Sequence, residues 1–376
     1  MQEPLPSASN NHMKFVIAAG GTGGHLFPGL AVGEVLLKRG HEVMIIVSEK
    51  EIDAIATSGR SEFRVEKVAG VGLQRKSPGG LLQFARKFYA GFRQCGSLFR
   101  TYAPDAVLGM GGFTSLAPIL AGRRRKAPTF VHESNAIPGK SNRLNARFCT
   151  AVLLGFDECA QYFPKSKCIV TGTPVRQTLA ERVDRTQALA EFSLQPERKT
   201  VLVMGGSQGA HGINTAFTKA LEALKNLPLQ VIHFTGREDE VVVRDTYRQA
   251  GIPAFVAAFW HRMEAAYSAA DLAVARSGAA SLTELSRFAL PSLLIPYPFA
   301  AEDHQTLNAK IFERASAAVL LTEREITPDL LARTLRLFLD DPAQLSEMSA
   351  RSAALAPRDA AERVADVVLA HCTNSS

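Results

Sequence analysis

Two glycine-rich turns, half a chain apart, most constrain what this chain can fold into. Each closes a short apolar run: residues 14–25 read KFVIAAGGTGGH, and residues 199–211 read KTVLVMGGSQGAH. A buried strand that passes through glycines into a helix leaves unpaired backbone N–H groups at the positive helix end, and these groups favour anions, phosphates above all. The pair predicts two phosphate-facing domains, and an enzyme that uses two phosphorylated substrates or holds one long substrate between its halves.

Glycine-rich turns of this kind can also have a purely structural use. Any parallel α/β sheet needs tight turns, and glycine supplies them with no ligand present. Neither turn fits the dinucleotide fingerprint, since Leu26 stands where a third glycine would have to follow Gly21 and Gly23. The chain also has no G-x-x-x-x-G-K-[ST] loop. Nicotinamide chemistry and P-loop hydrolysis are therefore disfavoured.

Apolar strands alternate with helical segments in both halves, which predicts an α/β fold with a parallel sheet in each half. The 376 residues exceed the size of roughly 250 to 300 residues at which single cores stop growing, so we expect two domains. The predicted division is a disordered tail over residues 1–12, an N-terminal domain over 13–175, a C-terminal domain over 176–355 and a final segment over 356–376.

The composition is that of a cytoplasmic protein. No uninterrupted apolar stretch reaches the ~18 residues of a membrane-spanning helix, and the first residues, MQEPLPSASNNH, lack both the basic start and the apolar core of a signal peptide. The five cysteines form no C-x-x-C pair, so we expect reduced, mostly buried thiols.

The formal net charge of +7 would attract an anionic partner. Residues 81–100 place four phenylalanines at near-helical spacing and an arginine every seven residues on another face, and residues 123–126 read RRRK. We interpret them as a surface for anionic lipid headgroups; the alternative is a core-facing Phe stripe with a solvated Arg face. Nucleic acid is disfavoured, because no known binding motif accompanies the charge. The predicted membrane contacts are Leu81, Leu82, Phe84, Phe88, Arg123, Arg124 and Arg125.

Two groups of residues in the first half could carry acid–base chemistry. His25 directly follows GGTGG and should lie in the first turn of a helix. The helix dipole there disfavours imidazolium, so the neutral ring is a usable general base, although it could instead donate to a phosphate or pack at a domain interface. The run VHESNAIPGKSN, residues 131–142, follows a strand and clusters His132, Glu133 and Asn135. Its spacing is not a metal motif, so no ion is predicted.

Two further motifs lie in the second half. ARSGAASLTEL, residues 275–285, puts a Ser-Gly turn between a strand and a helix, where N–H groups could hold a diphosphate. Glu284, about two turns into that helix, could accept hydrogen bonds from the vicinal hydroxyls of a ribose. PYPFAAEDHQTLNA, residues 296–309, brings His304, Gln305 and Asn308 towards the same cleft, where such groups suit sugar hydroxyls.

Seven motifs taken in order, GGTGGH, GMGGF, HESNAIPG, GTPVR, GGSQGA, ARSGAASLTE and EDHQTLNA, closely resemble the MurG family over residues 20–309. These enzymes are UDP-N-acetylglucosamine: undecaprenyl-diphospho-muramoyl-pentapeptide N-acetylglucosaminyltransferases of peptidoglycan synthesis. The resemblance implies the GT-B architecture, in which two Rossmann-like parallel-sheet domains face an interdomain cleft and the last helix returns to the first domain.

The same resemblance implies the reaction. N-acetylglucosamine would pass with inversion from UDP-N-acetylglucosamine to the C4 hydroxyl of the muramoyl residue of lipid I, giving lipid II, with His25 as the first choice of base and Glu133 as the second. No cofactor is implied, and no divalent ion is predicted as a ligand. The expected partners are UDP-N-acetylglucosamine, the undecaprenyl-linked muramoyl-pentapeptide and the cytoplasmic face of an anionic inner membrane, to which the protein would bind peripherally. Cell-wall synthesis proteins are further candidate partners.

The resemblance also implies a site map. The implied donor contacts are Thr22, Gly23, Gly24, Asn135, Arg176, Ser207, Phe259, Trp260, Arg276, Ser277, Gly278, Ala279, Ser281, Glu284, His304 and Gln305. The implied acceptor contacts are Gly21, Gly24, Gly111, Gly112 and Asn135. The alternatives are another GT-B lipid glycosyltransferase, a UDP-sugar epimerase, or a non-catalytic module that binds nucleotide sugars.

Overall fold

The apolar runs form two separate parallel β-sheets in this computed structural model, which describes residues 12–20, 23–48, 62–68, 78–179, 181–206 and 209–373. All of the predicted tail except His12 lies outside the described residues, as do Gly21, Thr22 and Ser207. The predicted α/β class is confirmed, and the arrangement is that of a GT-B fold.

The first sheet has seven strands in the order β3-β2-β1-β4-β5-β6-β7, and every neighbouring pair is parallel. Its strands are β1 (Lys14–Ala18), β2 (Glu42–Val47), β3 (Arg64–Lys67), β4 (Ala106–Gly109), β5 (Thr129–Glu133), β6 (Ala151–Leu154) and β7 (Cys168–Val170). The described helices of this half are α1 (Gly23–Lys38), α2 (Pro78–Tyr102), α3 (Leu116–Arg124) and α4 (Lys140–Asn145).

The second sheet has six parallel strands in the order β10-β9-β8-β11-β12-β13. They are β8 (Lys199–Met204), β9 (Leu229–Phe234), β10 (Ala254–Ala257), β11 (Leu272–Ala275), β12 (Ser292–Leu294) and β13 (Ala318–Leu320). The helices that follow β7 are α5 (Arg185–Glu191), α6 (His211–Leu224), α7 (Glu240–Ala250), α8 (Met263–Ala269), α9 (Ala279–Arg287), α10 (His304–Arg314), α11 (Pro328–Asp340), α12 (Pro342–Ala354) and α13 (Ala360–Thr373). Short 3-10 turns cover Phe113–Ser115, Asp157–Tyr162, Lys165–Lys167, Gln177–Leu179 and Ala301–Asp303.

The strand order explains where a ligand would bind. In the first sheet the chain moves outward from β1 to β3 and then returns to place β4 on the other side of β1. In the second sheet β8, β9 and β10 run one way and β11 lies on the other side of β8. Open α/β sheets bind ligands beyond the carboxyl ends of the strands at such a switch point. The two glycine-rich turns follow β1 and β8, so each lies at the switch point of its sheet.

The last helix packs on the first half of the molecule. Helix α13 contacts α1, and its Val364, Ala365 and Val368 share one hydrophobic core with Phe15 and Ile17 of β1. An ion pair of 2.6 Å joins Arg39, the residue after α1, to Asp366 of α13. The chain therefore completes its N-terminal core with its C-terminal residues.

The cysteines and the hydrophobicity of the helices were also predicted from the sequence. All five cysteines are unpaired, and Cys95, Cys149 and Cys159 are buried. Burial raises the pKa of the Cys95 thiol to about 12. In the described part of the chain, no helix has both the length and the apolar composition needed to cross a bilayer.

Val364→Ala tests the docking of α13. Val364 is fully buried, and removing two methyl groups there should lower the free energy of unfolding by about 2 kcal/mol in urea unfolding followed by circular dichroism. Val241→Ala is the control, because Val241 is 66% exposed and its truncation should change this free energy by less than about 0.5 kcal/mol. Equal effects of the two substitutions would show that α13 does not contribute to the core.

Candidate active site

The glycine turn of the first half fits tightly against its sheet. Strand β1 ends at Ala18, and Gly23 and Gly24 open α1. A Cβ atom at Gly20 would lie 2.5 Å from the backbone nitrogen of Ser48, so this position tolerates only glycine. Helix α1 contacts α9, the helix that follows the Ser277–Gly278 turn of the second half, so the two halves meet along one cleft.

His25 lies in the first turn of α1, beneath the glycines of the GMGGF motif, residues 109–113. A Cβ atom at Gly111 would lie 2.9 Å from Nε2 of His25, and the nearest ring atoms are 3.7 Å from the corresponding point at Gly112. Both glycines have positive φ angles, 112° and 72°, which other residues rarely adopt. The motif GMGGF therefore folds over the His25 ring, which holds the imidazole at the carboxyl edge of the sheet.

Glu133, at the end of β5, is saturated with hydrogen bonds. Its Oε1 accepts from the backbone N–H and the Nδ2 of Asn135, at 2.9 and 3.0 Å. Its Oε2 accepts from the Gly139 N–H at 3.0 Å and from Nδ2 of Asn142 at 2.9 Å. The carboxylate is 3% exposed, and its lone pairs are occupied. This geometry suits a group that shapes the loop of residues 134–139, and it favours His25 over Glu133 as the base.

His132 is fully buried beside this loop. Its Nε2 donates to the carbonyl oxygen of Gly172 at 2.9 Å, and since a carbonyl only accepts, Nδ1 is left to accept from Oγ of Ser134 at 3.3 Å. Burial lowers the pKa of His132, against the smaller opposing effects of the hydrogen bond to Gly172 and of the nearby Glu133. The ring is therefore neutral and serves to tie the loop to the segment that crosses to the second half.

Arg176, in that crossing segment, joins the two halves. Its guanidinium carbon lies 4.2 Å from the ring centroid of Phe27 on α1. Its Nε is buried with no hydrogen-bond partner among the described residues. A buried, unpartnered guanidinium nitrogen at a cleft between two helix ends is a suitable contact for an anion.

Glu284 on α9 is oriented by a residue that the sequence patterns did not indicate. Its Oε2 accepts a hydrogen bond of 2.7 Å from the hydroxyl of Tyr267 on α8. Burial raises the pKa of Glu284, and Arg176 acts in the opposite direction. No local motif surrounds Tyr267, so only the packing of its ring on Phe288, at the end of α9, could reveal it.

The side chain of Arg276, which precedes α9, is engaged by neighbouring residues. Arg276 is 8% exposed and donates to the carbonyl oxygens of Ile295 and Pro296, at 3.2 and 3.0 Å. It also forms an ion pair of 2.6 Å with Glu323. Its side chain is therefore committed to the protein. The other implied contacts at this helix end are Ser277 and Ala279, both buried, and Gly278 and Ser281, both half-buried.

The second glycine turn also excludes side chains. Gly209 has a φ of 76°, and a Cβ atom there would lie 2.2 Å from the carbonyl oxygen of Thr235. The turn leads into α6, which begins at His211. Ser207 lies outside the described residues, so its implied contact with the donor stays a prediction.

The residues implied to contact the uracil and the sugar differ in how much their side chains already contact the rest of the protein. The ring of Phe259 is 52% exposed, whereas the indole of Trp260 packs on Phe192 and Phe255. At the start of α10, Nδ1 of His304 lies 2.8 Å from the carbonyl oxygen of Ala301. Oε1 of Gln305 accepts from the Tyr297 N–H at 2.9 Å.

The structure separates the two parts of the expected membrane surface. Phe84 stacks on Phe88 and meets the ring of Phe113 edge-on at 5.8 Å, at the start of α3. Leu82 and Tyr89 are 64% and 61% exposed on the same helix, α2. Arg123, Arg124 and Arg125 are exposed at the opposite end of the nine-residue α3, roughly 13 Å away. The side chain of Leu81 lies outside the described residues.

Comparisons with known proteins identify the family. Residues 15–154 match the glycosyltransferase family 28 N-terminal domain, and residues 200–364 match the family 28 C-terminal domain. A UDP-N-acetylglucosamine--N-acetylmuramyl-(pentapeptide) pyrophosphoryl-undecaprenol N-acetylglucosamine transferase of Pelobacter propionicus is 37% identical, over 95% of this chain and 99% of its own. The protein of that name from Geobacter sulfurreducens is 38% identical, over 95% of this chain and 98% of its own.

A solved structure agrees with these relatives. The crystal structure of MurG from Acinetobacter baumannii superposes with a TM-score of 0.77 at 26% identity, over 95% of this chain and 99% of that one. The chain therefore belongs to glycosyltransferase family 28 and, within it, to the MurG family.

Gly111→Ala tests the contact between this turn and His25. The new Cβ atom would overlap the ring and force a strained backbone at positive φ. We expect sugar transfer to fall roughly 100-fold, the cost of misplacing a reacting group by about 1 Å. The affinity for UDP, measured by calorimetry, should not change. Gly96→Ala on α2 is the control, because a Cβ atom there meets nothing within 4 Å. Full activity in Gly111→Ala would contradict this placement of His25.

Proposed function

We infer that this chain transfers N-acetylglucosamine from UDP-N-acetylglucosamine to lipid I and so forms lipid II, the activity of its family. The observation that carries this inference is the meeting of α1 and α9 across the cleft, with His25 fixed under the turn at Gly111. One helix end and one candidate base lie on the first half, and a second helix end lies opposite. This arrangement suits one acceptor and one nucleotide-sugar donor.

We propose that the donor binds to the second half. The N–H groups that precede α9, Arg176, and Ser207 in the second glycine turn would hold the diphosphate, since helix ends and guanidinium groups favour phosphate oxygens. Glu284 would accept from the ribose hydroxyls. Phe259 and the backbone of Trp260 would contact the uracil, and His304 and Gln305 would contact the sugar. The unpartnered Nε of Arg176 and the exposed ring of Phe259 support this placement.

The acceptor would bind to the first half. Its diphosphate would lie against Gly23 and Gly24 and against the turn at Gly111 and Gly112, where positive φ angles turn the backbone. Asn135 would lie near the reacting sugar. The close packing of this turn on His25 supports the proposal, because the same backbone that would hold the acceptor also fixes the base.

The proposed chemical step is a single displacement. A ring nitrogen of His25 takes the proton of the muramoyl C4 hydroxyl, and the C4 oxygen attacks the anomeric carbon from the face opposite UDP. The bond between that carbon and the phosphate oxygen breaks, and UDP leaves with the electron pair. Attack on the opposite face inverts the anomeric centre and gives a β-1,4 link. The start of α9 and Arg176 would stabilise the charge that develops on the leaving group.

We propose that the protein binds peripherally to an anionic membrane through α2 and α3. Helix α2 has no Asp or Glu, and it exposes Leu82 and Tyr89. Arg124 and Arg125 are exposed at the end of α3 and have no ion pair with any described residue. Exposed apolar and cationic groups on two adjoining helices are typical of proteins that bind anionic lipid headgroups.

One assay separates this function from the rivals. Radiolabelled UDP-N-acetylglucosamine is supplied with the undecaprenyl-linked muramoyl acceptor, and the lipid fraction is counted. We expect label in the lipid fraction. Label released as a free epimer would instead indicate a UDP-sugar epimerase, and binding without turnover would indicate a non-catalytic module.

His25→Ala tests the base. We expect kcat to fall by roughly 100- to 10,000-fold, the range that general base catalysis supplies, with little change in the affinity for the donor. His41→Ala is the control, because His41 precedes β2 at the amino edge of the same sheet. A large loss of UDP binding with unchanged turnover would reject this role for His25.

A vesicle-binding experiment tests the membrane surface. Arg124→Gln combined with Arg125→Gln should weaken binding to vesicles that contain phosphatidylglycerol by roughly 30-fold, since each cation near such a surface contributes about 1 kcal/mol. Arg324→Gln combined with Arg333→Gln removes two exposed arginines from the other half and should change binding little. Equal binding by all three proteins would remove α3 from the proposed surface.

A further inference from the structure

Asn308 is a fully buried amide between the two halves of the molecule. It lies on α10 and is 0% exposed. Its Oδ1 accepts from the backbone N–H of Ala136 at 2.9 Å, and its Nδ2 donates to Oδ1 of Asn135 at 3.1 Å. The same Nδ2 donates to the carbonyl oxygen of Ser277 at 3.1 Å. Two of the three hydrogen bonds therefore reach the first half, and one reaches the turn before α9.

The partners of Asn308 are themselves fixed. Asn135 donates through its side chain to Oε1 of Glu133, and Ser277 donates from Oγ to the carbonyl oxygen of Gln305 at 2.8 Å. A continuous set of hydrogen bonds thus runs from the carboxylate at the end of β5 to the turn that opens α9. This set joins the loop proposed to face the acceptor sugar to the helix end proposed to face the donor diphosphate.

The side chain of Asn308 has no donor left for a substrate. Both hydrogens of Nδ2 are engaged, and Oδ1 holds a strong donor in a site closed to water. The sequence pattern suggested that Asn308 would meet sugar hydroxyls. In the structure its bonds are made to the protein, so it has no free donor for a sugar.

Two ion pairs between the halves are of a different kind from this buried amide. The ion pairs Arg143–Glu302, at 3.1 Å, and Arg314–Glu158, at 3.6 Å, also link them, but both have well-exposed arginines. Exposed pairs are screened by solvent and fix geometry weakly. If a buried amide loses its hydrogen-bond partners, no water replaces them, and the loss is costly. The amide therefore favours the one relative placement of its partners that keeps these bonds.

We propose that Asn308 is a positioning residue that sets the distance between the donor and acceptor sites. It acts by holding Asn135 and Ala136 to Ser277, and it touches neither substrate. The inference rests on the proposed placement of the two substrates on opposite halves. Loss of the bridge would leave each half folded and each site formed, but would misplace one against the other.

Asn308→Ala is the direct test. We expect kcat for transfer into lipid to fall between roughly 10- and 100-fold, because a misplacement near 1 Å costs about 100-fold. The dissociation constant for UDP should stay within twofold, since the proposed contacts of UDP lie on the second half. The fraction of donor hydrolysed to free sugar, relative to the fraction transferred, should rise.

Gln230→Ala is a matched control for lost stability. Gln230 is also 0% exposed and also makes three side-chain hydrogen bonds, to Gln195 N, Gln195 O and Thr200 Oγ1. It lies on β9 at the amino edge of the second sheet, away from the cleft. Its truncation should lower the melting temperature by a similar amount and leave kcat unchanged.

Asn308→Ser keeps the test decisive if the alanine variant unfolds. A serine hydroxyl can restore one donated bond, so part of kcat should return and the hydrolysed fraction should fall. Wild-type kcat in Asn308→Ala, or a loss of UDP affinity as large as the loss of kcat, would overturn the proposal. Failure of the wild-type protein to label the lipid would instead reject the proposed function itself.

Discussion

The buried carboxylate of Glu133 is the interaction on which the cleft depends. Taking a charge out of water is costly unless donors replace the water, and four N–H groups do so here. Hydrogen bonds to a charged group contribute about 1.5 to 3 kcal/mol each. These donors come from Asn135, Gly139 and Asn142. The hydrogen bonds that offset the burial of Glu133 therefore also fix the whole loop. Only a fixed loop can present Asn135 and Ala136 to Asn308 on the opposite half.

Glu133 and Glu284 illustrate how surroundings assign different tasks to one residue type. Glu133 has every lone pair engaged, so it can shape a loop but has no capacity left for a substrate. Glu284 accepts one hydrogen bond, from Tyr267, and burial raises its pKa. Added donors would favour its charged form, and the vicinal hydroxyls of a ribose supply two. The structure thus supports the ribose role proposed for Glu284, and Tyr267 points the carboxylate in one direction.

The sequence was sufficient for features that depend on neighbours in the chain. Apolar runs that end in glycine predicted parallel strands and tight turns, and the α/β fold with two sheets confirms this prediction. Contacts between distant residues could not be predicted in this way. Asn308 meets Asn135 across 173 positions, and no local pattern encodes that pairing. The same limit applies to Arg176 over Phe27 and to Tyr267 beside Glu284. The implied contacts at Gly21, Thr22 and Ser207 stay predictions, as they lie outside the described residues.

The arrangement of α2 bears on how a membrane-bound acceptor would reach the base. Phe113 directly follows the glycine turn over His25, and its ring meets Phe84. From there the stacked rings of Phe88 and Phe92 continue along α2, at centroid distances of 6.2 and 6.3 Å. If α2 contacts the bilayer as proposed, this row, in which Phe88 and Phe92 pack against the core of the first half, fixes the membrane-binding helix beside the turn over His25. The arginines at the far end of α3 would then orient the protein on the membrane, because they are too distant to contact the reacting sugar.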